Sequence, residues 1–171
     1  MTNPYIIDTY KPSLLEWIEK MFIHAKEKKW YETYHCFDIH GVISKPDYRK
    51  SDFKINYYPY AKETLQFLTK NRPDMVLFIL TSSYPDEIES YMKQFKEDGI
   101  FFKYVNENPD VSDAKGNFGC YDKKPYFNSY FEDKAGFRPE LDWKPIYEYF
   151  VHSTYVPDKN WTVKYKESYH G

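Results

Sequence analysis

The chain's most chemically suggestive residue is Asp38, the one acid in the apolar run Tyr34-His-Cys-Phe-Asp-Ile-His-Gly-Val-Ile43, with His40 two positions on and Gly41 as a turn. Cys36, Phe37, Ile39, Val42 and Ile43 have the strand propensity to bury most of this segment. A carboxylate at the C-terminal end of a buried strand lies where open α/β sheets place their ligands. An ionised acid there is costly unless cations or hydrogen-bond donors meet it, so the rest of the chain must supply them.

Two further strand-like runs end in polar groups of complementary kinds. The stretch 74–80 is apolar on both faces and runs into Thr81-Ser82-Ser83, and the stretch 127–131 ends in Glu132-Asp133. Lys123 and Lys124, fixed by Pro125, come just before the latter. In a parallel sheet all these ends emerge on one edge, so residues distant in sequence meet in one crevice. Carboxylates, hydroxyls and a lysine there suit a divalent cation and a phosphoryl group. The hard metal takes the oxygens; the hydroxyls, the lysine and free backbone N–H groups take the phosphate. Thr81 and Ser82 also suit the cap of a following helix, and Asp38 suits a turn ahead of Gly41.

Helical periodicity fills the spaces between these runs. An amphipathic helix is expected over 13–28, with Leu14, Trp17, Ile18, Met21 and Phe22 as its core stripe. Further helices are expected over 59–70, 85–98 and 143–151, the second with Pro85 early and Gly99 past its end, and another strand over 101–105. Alternating strands and helices in this order predict an α/β fold of Rossmann-like type: a mainly parallel sheet flanked by helices. The segment 1–30 forms an N-terminal helical extension, 44–58 a flap and 106–123 a loop or hairpin insert, all within one domain spanning 1–171. The acids of 106–113 lack the spacing of a calcium-binding loop, and Gly116 with Gly119 lacks that of a nucleotide-binding loop.

In sequence order, Asp38-Ile-His-Gly-Val, the strand ending in Leu80-Thr-Ser-Ser, Lys124-Pro and the strand ending in Glu132-Asp133 resemble the four successive motifs of the haloacid dehalogenase (HAD) superfamily. The resemblance covers about 34–143, most of the chain. It implies an HAD-like fold and a metal-dependent phosphate monoester hydrolase working through an aspartyl-phosphate. Asp38 would be the nucleophile. His40 stands where the family has an aspartate that acts as general acid and base and lends its carbonyl to the metal. Thr81, with Ser82, would bind the phosphoryl group, Lys124 would neutralise charge, and Asp133, then Glu132, would join Asp38 and His40 around Mg2+. Imidazole can still give or take a proton, yet it brings no negative charge to draw in a metal. Ligation by the ring would favour Zn2+ instead. The alternative is a catalytically degenerate phosphoryl-binding or interaction protein that keeps the fold. The stretch between the Asp38 and Thr81 turns is too short for an independent cap domain.

Composition narrows the partners. Of 171 residues, 21% are aromatic, including nineteen Tyr and thirteen Phe, so rings must fill much of the core although mean hydropathy is −0.80. A formal charge of −2 and a pI near 6.2 give no general attraction to nucleic acid or anionic membrane. The expected partner is a phosphorylated substrate, with a homo-oligomer left open. Cys36 and Cys120 make no disulfide framework, and Cys36 reads as a buried reduced thiol. With no secretion signal and no run long enough to span a bilayer, the expected compartment is the cytoplasm.

Overall fold

The computed structural model describes residues 10–46, 53–113 and 119–161. In chain order the elements are α1 (Ser13–Glu27), β1 (Thr33–Phe37), α2 (Ala61–Asn71), β2 (Met75–Ile79), α3 (Pro85–Glu97), β3 (Tyr104–Val105), β4 (Ser129–Phe131), a 3-10 turn at Asp133–Ala135, and α4 (Pro139–His152). The four strands form one all-parallel sheet of order β3-β2-β1-β4. This is the expected Rossmann-like α/β architecture. No helix among the described residues is long and apolar enough to cross a membrane.

Strand alternation sorts the core into two layers. Phe37, Leu77, Ile79 and Phe131 join one cluster with the apolar stripes of all four helices, including Ile18 and Phe22 of α1, Leu65 of α2, Phe95 of α3 and Ile146 of α4. Tyr34, Cys36, Val76 and Phe78 point the other way and meet Val111, Tyr121, Tyr126 and Tyr130. Aromatic side chains from the loop segment therefore cover the face that lacks helices, which accounts for much of the ring content. Cys36 lies fully buried here as a free thiol, its pKa pushed up by burial.

The element ends depart from the expected ones for local reasons. β4 begins at Ser129: just before it the Asn128 N–H still donates to the Tyr34 carbonyl at 2.7 Å, but the Tyr34 N–H donates to the Asn128 side-chain Oδ1 at 2.7 Å instead of to a strand carbonyl. β3 shrinks to two residues, since the Phe101 N–H is taken by Thr69 Oγ1 and Phe101 itself is exposed. α4 starts four residues early, with Pro139 in its first turn, where a missing N–H costs nothing, and the Arg138 N–H donating to Asp142 Oδ2 at 2.8 Å. Trp17 leaves the core stripe of α1: it is 52% exposed, its indole N–H bonded to the Asn128 carbonyl, while Leu15, Ile18, Met21, Phe22 and Ala25 form the buried i, i+3, i+4 row.

Of the expected flap, 47–52 lies outside the described residues. Its two described limbs are joined by a bridge between Ser44 and Tyr57 and by Lys45 N–H to the Asn56 carbonyl. The Gln94 side chain of α3 holds the returning limb at both the Ile55 N–H and the Phe53 carbonyl. Residues 114–118 of the expected insert and 1–9 of the N-terminal extension also lie outside the described residues.

Candidate functional site

Parallel register fixes what stands beside Asp38. Phe37 pairs with Ile79 on one side and Phe131 on the other, so the next residues outward, Leu80 and Glu132, flank Asp38. The Asp38 N–H donates to the Phe131 carbonyl at 3.0 Å and the Leu80 N–H to the Phe37 carbonyl at 2.9 Å. Beneath these strand ends lie three fully buried rings. Phe37 stacks on Phe131 with centroids 4.3 Å apart, and Trp143 of α4 stacks on Phe131 at 5.5 Å. The Trp143 indole N–H reaches the Val42 carbonyl at 2.8 Å, tying α4 to the turn that follows Asp38. Truncating any of these rings would cost about 3–5 kcal/mol. The platform under the acids is thus among the best-packed parts of the core.

On that platform Asp38, Glu132 and Asp133 converge, each with a carboxylate oxygen within 4.8 Å of the others. Asp38 is half-buried, and its Oδ1 accepts the Ile39 N–H at 2.8 Å. Burial, reinforced by the negative charges of Glu132 and Asp133, pushes its pKa up to about 6 against the pull of the Ile39 N–H and Lys134. Burial also acts on Glu132, but hydrogen bonds from Asp133, the Lys134 N–H and the Tyr130 hydroxyl outweigh it and hold this acid below its ordinary range. Asp133 is raised, first by the hydrogen bond it shares with Glu132 and then by burial. Gly41, at φ +78°, lets the turn press against this cluster: a Cβ there would lie 2.6 Å from Asp133 Oδ2.

The remaining expected residues lie around this centre to differing degrees. The half-buried His40 ring turns toward α3, where its Nε2 pairs with the Tyr91 hydroxyl at 3.2 Å, and the two rings meet edge to face at 5.4 Å. Burial lowers the His40 pKa while Glu87 pulls it up. Thr81 follows the end of β2; its N–H donates to Asn106 Oδ1, and its hydroxyl pairs with that of Ser83 and accepts the Ser83 N–H. Ser82 is exposed beside it, just before the first turn of α3. Lys124 stands in an exposed turn, its N–H donating to the Cys120 carbonyl at 3.1 Å. Lys134, exposed beside the acidic pair, is a positive charge whose field lowers the pKa of all three acids.

Sequence reasoning passed over Lys134, Tyr91 and the closeness of Gly41 to Asp133. Lys134 directly follows the acidic pair and was findable from that adjacency. Tyr91 sits 51 residues from His40 on an apolar helix stripe and carries no sequence signal that links the two.

The acids are hard oxygen donors with more negative charge than the surrounding donors balance, a set that fits a divalent cation. Among solved structures the chain is similar to a conserved protein coded by a locus from Bacteroides thetaiotaomicron, with a TM-score of 0.52 and 21% identity over 70% of this chain and 90% of that one. At that identity the likeness speaks to the fold. No protein-family model matches the chain, and no curated protein is similar to it.

Proposed function

We propose that the chain is an HAD-like phosphate monoester hydrolase with Asp38 as nucleophile. The observation that carries the reading is the convergence of Asp38, Glu132 and Asp133 at the C-terminal edge of a parallel sheet, beside the Thr81-Ser82-Ser83 turn. The resemblance of the four motifs supports it independently. Asp38 Oδ1 is engaged by the Ile39 N–H, which leaves Oδ2 to attack phosphorus. As the new O–P bond forms, the bond to the leaving oxygen breaks and His40 supplies that oxygen with a proton. Water then attacks the phosphorus of the aspartyl-phosphate, gives its proton to His40 and restores the Asp38 carboxylate. Thr81 and Ser82 hydroxyls, N–H groups at the start of α3 and a lysine hold the phosphoryl oxygens. A divalent cation, Mg2+ ahead of Zn2+, would be held by Asp38, Asp133, Glu132 and the His40 carbonyl and would screen the charge between carboxylate and phosphoryl group.

A second reading is favoured by His40 itself. With a ring tied to Tyr91 where the family has an acid, the crevice would bind a phosphoryl group without turning it over. A metal-supplemented screen of phosphate esters separates the two when wild type, Asp38→Asn and His40→Asp are run together. Activity in wild type that Asp38→Asn abolishes supports the hydrolase. A silent wild type with an active His40→Asp supports the binder, and equal activity in wild type and Asp38→Asn refutes the nucleophile.

A further inference from the structure

The His40–Tyr91 contact joins the turn after β1 to the helix after β2, and it is built for precision. Tyr91 is 4% exposed, with its ring seated in the core between α3 and the sheet. Its hydroxyl has no other recorded hydrogen bond among the described residues, so the bond to His40 Nε2 is what keeps that buried polar group satisfied. The edge-to-face contact of the two rings restricts the imidazole further. One ring nitrogen is thereby occupied, and Nδ1 has no hydrogen-bond partner among the described residues. Nothing in the packing of α3 requires a hydroxyl at this position, since a phenylalanine would fill the same space.

Resting on the hydrolase reading above, we propose that Tyr91 is the positioning residue for His40. Its hydroxyl oxygen accepts from Nε2–H, so the neutral imidazole keeps its proton on Nε2 and Nδ1 is the nitrogen that gives a proton to the leaving oxygen and takes one back from water. Tyr91 touches neither substrate nor the reacting atoms; it acts through the ring it orients. The consequence depends on the leaving group. An alkoxide must receive a proton as it departs, whereas p-nitrophenolate departs without one.

The test is Tyr91→Phe, read in two ways. In long-range proton–nitrogen NMR spectra, with the His40 signals assigned through His40→Gln, wild type should show one tautomer and Tyr91→Phe a mixture. In kinetics, kcat for β-glycerophosphate should fall about tenfold with KM unchanged, while kcat for p-nitrophenyl phosphate stays within about twofold. The proposal is overturned if wild type already averages both tautomers, if Tyr91→Phe leaves the His40 nitrogen signals unchanged, or if both esters slow equally. A wild type silent on every ester would instead remove the hydrolase reading, and the NMR spectra would still decide whether Tyr91 holds the ring. The wild-type spectrum needs no variant at Tyr91, so it remains decisive if the substitution impairs folding.

Discussion

Where the strands begin, Arg72 meets Asp74 through two hydrogen bonds of 2.8 and 2.6 Å, its guanidinium lying over the rings of Phe22, Phe150 and Tyr155. Close by, the fully buried His35 is held at both ring nitrogens, Nδ1 by Ser129 Oγ and Nε2 by Thr33 Oγ1. Where the same strands finish, Asp38, Glu132 and Asp133 crowd together, with the exposed Lys134 as a nearby positive charge. The polar groups at the first end are buried, whereas at the second Asp38 and Glu132 are half-buried and Asp133 is exposed, both sets standing on one sheet. At the first end every charge has its partner inside the fold, which is what a structural role demands. At the second the fold brings three like charges together on a rigid platform, the arrangement on which the proposed cation site rests.

The largest effect that could break this contrast lies at the balanced end. Arg72→Ala leaves the Asp74 carboxylate buried without its cation and should cost about 3–5 kcal/mol in denaturant unfolding. Asp133→Asn, at the unbalanced end, should cost nothing or add stability because it relieves repulsion. If the two substitutions proved equally damaging, the distinction between a self-sufficient end and a ligand-requiring end would fail.

Gly41→Ala should come next, at about 2 kcal/mol, because the position has φ +78° and the new Cβ would collide with Asp133 Oδ2. The same substitution should displace Asp133 and weaken cation binding more than stability alone explains. A variant as stable as wild type would mean that the close approach of turn and acid is relaxed in solution.

The response to pH sharpens the comparison, because the two ends respond with opposite sign. His35 is lowered from 6.5 to about 3 by burial and then by the Arg72 charge, so its neutral form contributes stability that is complete above pH 6.5 and drains away as pH falls toward 3. Asp38 is raised from 3.8 to about 6, so the fold favours its protonated form. That contribution is complete below pH 3.8 and is lost as pH rises through 6. His35→Gln should therefore flatten the acid limb of a stability profile. Asp38→Asn should stabilise by about 1 kcal/mol above pH 7, solvent screening included, and by nothing below pH 4. Matching pH responses in the two variants would contradict the assignment.

The acids at the strand ends were easier to read from the sequence than the side-chain details around them. Runs such as 34–43 and 74–80 declare buried strands because they must be apolar on both faces, and the acids at their ends stand out against that background. Asp38, Thr81, Glu132 and Asp133 were legible for this reason. The start of β4 was not, since a side-chain amide at Asn128 stands in for the backbone ladder, and amide side chains carry no periodic signature. Trp17 was misplaced because its size suggested burial, while the helix phase sets it beside the apolar row and its N–H seeks a carbonyl. Lys124 matched the motif order and stands in an exposed turn, while Lys134, which follows the acidic pair, places a positive charge near the acids. Order along the chain identifies strand ends; it does not place the side chains of the loops between them.

The central claim is that the acids at the finishing end await a cation. Titration calorimetry of metal-stripped protein with Mg2+ tests this most directly, using wild type, Asp38→Asn and Asp133→Asn. The account predicts binding to wild type that both substitutions abolish or sharply weaken. No binding in wild type, or the same affinity in Asp133→Asn as in wild type, would contradict it.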